Sequence, residues 1–246
     1  MIEVDNLSRH FTDKKRGLVK AVDEVSFRVE PGEIFGLLGP NGAGKSTTLR
    51  IIGTLLEPTS GVARVNGADV RKEPERVRGQ IGFLSGDMAL YSRMTPRELM
   101  FFYGRLCDVP EGELKKRSEE MIGTLGMQEF CDTRIDRLSS GMKQKAAIGR
   151  ALIHDPPVLI FDEPTATLDV PTSRIVEAFV LEAKRQGKCI VYSTHIMEEA
   201  EYLCDRIAVI NEGRIRMTGT MEELRAATGK QRLREIFLDL LDWKVA

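Results

Sequence analysis

The chain contains 246 residues, of which 42% are hydrophobic and 30% charged, a composition typical of a soluble globular protein and not of a disordered or fibrous one. Its 36 basic and 37 acidic side chains give a net charge of −1, which argues against nucleic acid as a partner because such binding relies on basic surfaces. Apolar runs stay far below the roughly 18 residues of a membrane-spanning helix, and four cysteines without a CxxC pair predict free thiols in a reducing cytosol.

Strand patterns dominate the first 70 residues and then alternate with helical patterns, which predicts an α/β fold with a mostly parallel sheet. Val25, Phe27 and Val29 alternate with polar neighbours, and residues 62–70 are predicted to form a hairpin around Asn66-Gly67. Five short apolar runs predict the core strands: 34–38, 81–84, 158–161, 189–192 and 207–210.

A glycine-rich segment follows the first predicted core strand and precedes a predicted helix over 47–56. It fits the phosphate-binding pattern GxxxxGK[ST] with Gly39, Pro40, Asn41, Gly42, Ala43, Gly44, Lys45 and Ser46. In this pattern backbone amides converge on phosphate oxygens, the lysine reaches the β- and γ-phosphates, and the serine binds Mg²⁺. The alternative, a flexible glycine-rich turn, does not account for the strand before the segment and the helix after it.

Residues 88–137 lack strand signals, and from Pro96 to Arg137 they carry large apolar residues at helical spacing. This predicts an α-helical subdomain inserted between two strands of a single domain that covers residues 1–246. Residues 220–246 predict a helical extension, whose second helix has one apolar stripe: Leu233, Ile236, Phe237, Leu240 and Leu241.

Two further segments carry polar groups next to predicted elements. Ser139 and Gly141 precede a predicted helix over 143–153, where they form either an ordinary helix cap or an anion-binding site. The strand 158–161 ends in Asp162 and Glu163. Beside a phosphate-binding loop, Asp162 would hold Mg²⁺ and Glu163 would orient or deprotonate a water; the alternative is an acidic turn after a core strand.

Taken together, these motifs resemble the ATP-binding subunits of ABC transporters over nearly the whole chain. The phosphate-binding loop resembles Walker A, Asp162-Glu163 the end of Walker B, and Leu138–Met142 the LSGGQ signature. Thr167-Leu168-Asp169 is similar to the D-loop and Ser193-Thr194-His195 to the switch-histidine segment. Phe11 occupies the position of the aromatic residue that stacks on adenine.

The resemblance implies a P-loop NTPase core with an N-terminal antiparallel β-subdomain and an inserted α-helical subdomain. It implies ATP hydrolysis with Glu163 and His195 as catalytic residues, and nucleotide contacts that include Thr47, Ser139 and Asp169. Mg²⁺ would be held by Ser46 and Asp162. The partners implied are separate integral-membrane permease subunits and a second copy of the chain or a homologous ATPase chain. The chain would then act as a peripheral subunit at the cytoplasmic face of the membrane.

A finer resemblance links the chain to the exporter branch with sodium-efflux and drug-efflux ATPases, through residues 86–98 and the stretch after His195. Three departures from the family pattern are visible. Gly86 replaces the Q-loop glutamine, Ser140 and Met142 replace signature residues, and Phe11 replaces the commoner tyrosine.

The family places a permease helix in a groove beside the Q-loop. Here that groove is predicted to be lined by Gly86, Asp87, Met88, Leu90, Tyr91 and residues 100–103.

Two other functions are weighed against the transporter ATPase: a soluble ABC-type ATPase acting in cofactor assembly, and a small-molecule kinase. A kinase does not need a second helix that starts with Ser and Gly, so this segment argues against a kinase. Copurification with integral membrane protein would decide between the transporter ATPase and the cofactor-assembly ATPase.

Overall fold

The computed structural model describes residues 1–13, 17–85, 90–166 and 168–241. Its strands, numbered in chain order, are β1 (Ile2–Asp13), β2 (Gly17–Val29), β3 (Ile34–Leu38), β4 (Ser60–Val65), β5 (Ala68–Asp69), β6 (Ile81–Ser85), β7 (Val158–Asp162), β8 (Cys189–Thr194), β9 (Arg206–Asn211) and β10 (Arg214–Gly219). Its helices are α1 (Lys45–Ile52), α2 (Pro74–Arg78), α3 (Pro96–Leu106), α4 (Glu111–Thr124), α5 (Ser140–Leu152), α6 (Val170–Arg185), α7 (Met197–Leu203), α8 (Met221–Thr228) and α9 (Leu233–Leu240), with a 3₁₀ turn at Ile135–Arg137.

The first strands form a four-stranded antiparallel sheet in the order β2-β1-β4-β5. The predicted hairpin is confirmed, because Val65 of β4 pairs with Ala68 of β5 across the turn. Asn66 and Gly67 have φ values of 47° and 80°, the left-handed conformation that this tight turn requires. This sheet is the predicted N-terminal antiparallel subdomain.

A six-stranded sheet in the order β10-β9-β3-β8-β7-β6 contains all five predicted core strands. β9, β3, β8, β7 and β6 are parallel to one another, and only the edge strand β10 is antiparallel. Within this sheet Leu38 pairs with Thr194, and Asp162 pairs with Ser193. The carboxyl ends of β3, β7 and β8 therefore meet at one edge, where ligands of open parallel sheets bind.

Two apolar cores cover the faces of the six-stranded sheet because its strands bury both sets of alternating side chains. One core packs the antiparallel sheet and α1 against the first face, with the rings of Phe27 and Phe35 stacked 4.8 Å apart. The other core packs α3, α4, α5 and α6 against the opposite face, where Phe161 and Tyr192 are buried. The edge formed by the carboxyl ends of β3, β7 and β8 is thus supported from both sides.

The helices predicted between two core strands are present, since α3, α4 and α5 lie between β6 and β7. Thr95 starts α3 with a capping box, in which its side chain accepts from the Glu98 amide and Glu98 accepts from the Thr95 amide. The limits 88–137 remain a prediction, because residues 86–89 lie outside the described part of the chain. The C-terminal helices α8 and α9 are also present, and the predicted stripe packs inward with Leu233, Ile236 and Phe237 buried.

No helix within the described residues combines the length and apolar character needed to cross a membrane.

Candidate active site

The glycine-rich segment connects β3 to α1 and shapes the amino-terminal end of that helix. Gly44 precedes α1 with φ 106°, and a Cβ atom there would collide with the carbonyl oxygen of Ala21. Only glycine fits this position. No side chain caps the helix, so its first amides and its positive dipole end point to the loop as an anion-binding site. The helix begins at Lys45, two residues earlier than predicted, and ends at Ile52, after which Thr54 adopts a left-handed conformation with φ 60°.

Lys45 lies at the centre of this loop and is only 4% exposed. Its Nζ atom donates to the carbonyl oxygens of Gly39 at 2.6 Å and Pro40 at 3.1 Å, and lies 3.1 Å from Oε1 of Glu163. These contacts hold a cation next to an acidic residue that follows β7, which is separated from β3 by β8 in the sheet. The lysine is therefore positioned to meet an anion between the loop and β7.

Asp162, at the end of β7, is buried and accepts two hydroxyl hydrogen bonds. Ser46 Oγ donates to its Oδ1 at 3.0 Å, and Ser193 Oγ donates to the same atom at 2.7 Å. The predicted metal-binding pair, Ser46 and Asp162, is thus in direct contact. Hydroxyl and carboxylate oxygens are the ligands that Mg²⁺ prefers, so the donor set fits this ion.

Glu163 follows β7 in a strained backbone conformation with φ 49°. Its amide donates to both the carbonyl oxygen and Oγ of Ser193 at 3.1 Å, which fixes the residue against the end of β8. The carboxylate is 24% exposed and its Oε2 lies 3.2 Å from Nδ1 of His195. A partly accessible carboxylate between Lys45 and an imidazole can accept a proton from a water that enters the site.

Ser139, Gly141 and Asp169 form a second group at the starts of α5 and α6. Ser139 Oγ accepts from the Met142 amide at 3.3 Å, and Asp169 accepts from the Thr172 amide at 2.9 Å. Hydrogen bonds from Thr172 lower the pKa of the Asp169 carboxyl, which favours its charged form. Both residues line a surface cavity of about 730 Å³ together with Gly141. The residues around the phosphate-binding loop, Lys45, Ser46, Asp162, Glu163 and His195, do not line this cavity. Because Ser139 caps it, α5 begins at Ser140, three residues before the predicted start.

Phe11 lies on β1, opposite Val19 of β2, and 38% of it is exposed. One face of the ring is covered by the guanidinium of Arg9, 4.7 Å from the ring centroid. The ring is therefore outside the apolar cores and open to stacking. Four residues of the predicted motifs and groove lie outside the described residues: Gly86, Asp87, Met88 and Thr167.

Two contributors to the site were assigned no role of their own from the sequence. Ser193 joins Asp162 to the Glu163 backbone, and Gln144 of α5 donates to the Pro164 carbonyl oxygen at 2.8 Å. The sequence feature that could have indicated a role for Ser193 is its position at the end of a predicted core strand, directly before Thr194 and His195. Gln144 gave no signal, since a glutamine in an amphipathic helix is usually an ordinary surface residue.

The chain is similar to known proteins of one family. A family model described as ABC transporter matches residues 22–166. The "ABC transporter ATP-binding protein NatA" of Bacillus subtilis is 44% identical over 98% of both chains. The "Linearmycin resistance ATP-binding protein LnrL" of the same organism is 37% identical over 93% of this chain and 72% of that one.

Two solved structures share the fold. One, "Structure of ATP binding subunit of ABC transporter", has a TM-score of 0.90 and 31% identity over 98% of this chain and 99% of that chain. The other is a dimeric post-hydrolysis ATP-binding cassette bound to ADP and Pi, with a TM-score of 0.81 and 26% identity over 89% of this chain and 98% of that chain. The family model covers more than half of the chain, and the relatives match it almost end to end. The chain therefore belongs to the ABC transporter family and is an ATP-binding, ATP-hydrolysing subunit of that family.

Proposed function

We propose that this chain energises an exporter and hydrolyses ATP with Mg²⁺ at the edge formed by β3, β7 and β8. The observation that carries the proposal is a set of direct contacts at that edge. Glu163 contacts both Lys45 and His195, and Ser46 contacts Asp162. The relatives favour this function over a cofactor-assembly ATPase, because their names describe transporter and resistance subunits. Separate permease subunits at the cytoplasmic face of the membrane would be the partners.

The buried Asp162 and the Ser46 hydroxyl, 3.0 Å apart, would hold Mg²⁺. When bound, this ion neutralises charge on the β- and γ-phosphate oxygens. Lys45 binds the same phosphates from the loop side, and the α1 amides complete the cradle. The Gly213 amide donates to the Ala43 carbonyl oxygen at 2.9 Å, which ties the loop to the β9–β10 turn and keeps the cradle in place.

Glu163 is the general base in this proposal. It orients an attacking water in line with the γ-phosphate and accepts its proton, while His195 holds Oε2 of the carboxylate from the other side. The Glu163 amide is fixed on Ser193, so the carboxylate turns about a rigid backbone. Such fixed positioning supplies much of the rate enhancement in phosphoryl transfer.

The second group, with Ser139 and Gly141, would complete the site of a second chain, because its capped helix start presents a hydroxyl and amides to an anion. Two chains arranged head to tail would each supply Lys45 to one ATP and Ser139 to the other. The dimeric cassette with ADP and Pi supports this arrangement. Hydrolysis removes the γ-phosphate contacts that hold the chains together, so the dimer reopens and moves the permease subunits.

Glu163→Gln tests the assignment with little change of shape. It should lower ATP hydrolysis by about 10²–10⁴-fold, because the amide cannot accept the proton. ATP binding, measured with a fluorescent nucleotide, should persist, and an ATP-dependent dimer should accumulate in size-exclusion chromatography. Glu198→Gln is the matched control, since Glu198 is exposed on α7. Near-normal hydrolysis by Glu163→Gln with ATP bound would overturn the proposal.

A further inference from the structure

A buried carboxylate lies behind the candidate active site and takes no part in the chemistry described above. Glu199, in the first turn of α7, is 8% exposed. Its Oε1 accepts from the Thr165 hydroxyl at 2.6 Å, and its Oε2 accepts from the Thr194 hydroxyl at 2.8 Å. No lysine, arginine or histidine nitrogen lies within 4.0 Å of this carboxylate in the described part of the chain. Among the described residues, its hydrogen-bond donors are all hydroxyl groups.

One threonine lies in the loop that carries Glu163, and the other is the last residue of β8, where the loop that carries His195 begins. Thr165 lies two residues after Glu163, and Thr194 directly precedes His195. The Thr194 hydroxyl also accepts from the amide of Ile196 at 2.9 Å, which fixes the backbone on the far side of His195. Each oxygen of Glu199 therefore holds one of these loops.

A third hydroxyl completes the network. The Tyr192 phenol is fully buried and lies 3.4 Å from both Glu199 Oε2 and Thr165 Oγ1. Burial and the nearby Glu199 carboxylate raise the pKa of this phenol, so it stays protonated and able to donate. A buried polar group that loses its partner destabilises the folded chain, so the network resists any change in the spacing of the two loops.

We propose that Glu199 is a positioning residue for ATP hydrolysis: by accepting from Thr165 and Thr194, it fixes the Glu163 loop and the His195 loop at one separation. The inference rests on the proposed roles of Glu163 and His195. It does not make Glu199 a catalytic residue, since Glu199 touches only the groups behind them. A shift of about 1 Å in such a support can lower a rate by roughly 100-fold.

Substitutions at Thr165 separate the hydroxyl from the shape of the side chain. Thr165→Val keeps the volume but leaves Oε1 of Glu199 without its donor, whereas Thr165→Ser keeps the donor. We expect Thr165→Val to lower kcat by about 10- to 100-fold while the dissociation constant for ATP stays unchanged. Thr165→Ser should restore most of the rate. Equal rates for the Val and Ser variants would overturn the proposal.

Glu199→Gln repeats the test from the other end of the network. One of its polar atoms becomes a donor, so one threonine hydroxyl loses its acceptor, and kcat should fall while ATP binding persists. Glu198→Gln, one residue earlier and exposed, is the control and should behave as the unsubstituted chain. Thermal unfolding of every variant identifies any that do not fold. If Glu199→Gln does not fold, the Thr165 pair still decides the question. A normal kcat for folded Glu199→Gln would contradict the proposal.

A double variant distinguishes failure of this inference from failure of the proposed function. In single-turnover measurements with radiolabelled ATP, Thr165→Val should have no further effect on the residual rate of Glu163→Gln, because it acts through that carboxylate. Full additivity would overturn the positioning role. If Glu163→Gln alone hydrolyses ATP normally, the proposed function fails. If it is inactive and Thr165→Val is normal, only the inference about Glu199 fails.

Discussion

Asp23 of β2 and Arg214 of β10 form an ion pair that joins the antiparallel sheet to the edge of the six-stranded sheet. Arg214 Nη2 lies 2.6 Å from Asp23 Oδ2, and its Nε donates to the same oxygen at 2.8 Å. The Asp23 amide also donates to the Gly213 carbonyl oxygen at 2.8 Å. The Asp23 side chain is only 9% exposed, so this pair anchors the sheet that carries Phe11 to the turn beside the phosphate-binding loop.

This pair predicts a pH-dependent contribution to stability. The hydrogen bond from Arg214, together with the Arg214 charge and Lys20, lowers the pKa of the Asp23 carboxyl below its ordinary value of 3.8. A lowered folded-state pKa means that the contribution is complete above that ordinary value and is lost as the pH falls through the lowered pKa. Asp23→Asn should therefore decrease the free energy of unfolding at pH 7, and the difference should shrink in strong acid.

Urea denaturation from pH 7 down to strong acid measures the free energy of unfolding of both chains. Asp239→Asn, at an exposed position, is the control. A difference between Asp23→Asn and the unsubstituted chain that stays constant down to the lowest pH would contradict a charge-dependent pair.

Phe11 is predicted to stack on adenine. Phe11→Ala should weaken ATP binding by about 1–3 kcal/mol, the range measured for base–aromatic stacking. Phe11→Tyr should bind ATP as the unsubstituted chain does, since the ring remains. A fluorescent-nucleotide titration measures both variants. Leu18→Ala is the control for truncating an exposed apolar side chain in this pair of strands, because Leu18 lies on β2 and is 64% exposed. Equal affinity for Phe11→Ala and the unsubstituted chain would exclude Phe11 from the nucleotide site.

The two groups of site residues are predicted to act on the same ATP only across a dimer. A Lys45→Ala chain and a chain with both Ser139→Ala and Gly141→Asp should each be inactive alone. Mixed dimers contain one site with both lesions and one intact site, so mixing should restore about a quarter of the normal hydrolysis rate. No recovery at any ratio of the two chains would contradict a pair of shared sites that work independently.

Tyr91 is predicted to contact the permease. It is 53% exposed and its ring lies 5.7 Å from that of Phe102, whose helix face borders a surface cavity of about 860 Å³. Tyr91→Asp should leave the ATPase activity of the isolated subunit intact and abolish copurification with co-expressed permease subunits. Tyr202→Asp, 58% exposed on α7, is the matched control. Normal assembly and transport by Tyr91→Asp would place the docking surface elsewhere. Met88, predicted to act with Tyr91, lies outside the described residues.

The core strands were predictable from the sequence because a strand buried on both faces is a short continuous apolar run. β3 runs from Ile34 to Leu38 as predicted, and β7 and β8 extend past their apolar runs by one or two polar residues. Those added residues, Asp162, Ser193 and Thr194, belong to the site. The apolar runs therefore predicted where β7 and β8 begin, and the polar motif residues indicated where these strands end.

Helix starts and the buried polar network were less accessible to sequence reasoning. α1 begins after a glycine with positive φ rather than after a polar cap, so the usual cap signals do not apply to it. Glu199 lies next to another glutamate in a short polar helix, and only the fold shows that one is buried and the other exposed. Nothing in the local spacing links Glu199 to Thr165, which lies 34 residues away.

The left-handed backbone of Glu163 has a conformational cost at the position of the proposed catalytic base. A non-glycine residue in this conformation costs roughly 1–2 kcal/mol, more than the roughly 0.4–1 kcal/mol that glycine adds to the entropy of the unfolded chain. Glycine at position 163 would therefore relieve this backbone cost, but it would remove the carboxylate that pairs with Lys45 and that is proposed to act as the base. A library of variants screened only for survival after heating applies no selection for the proposed base at this position, so directed evolution of this subunit for thermostability has to select for turnover at the same time.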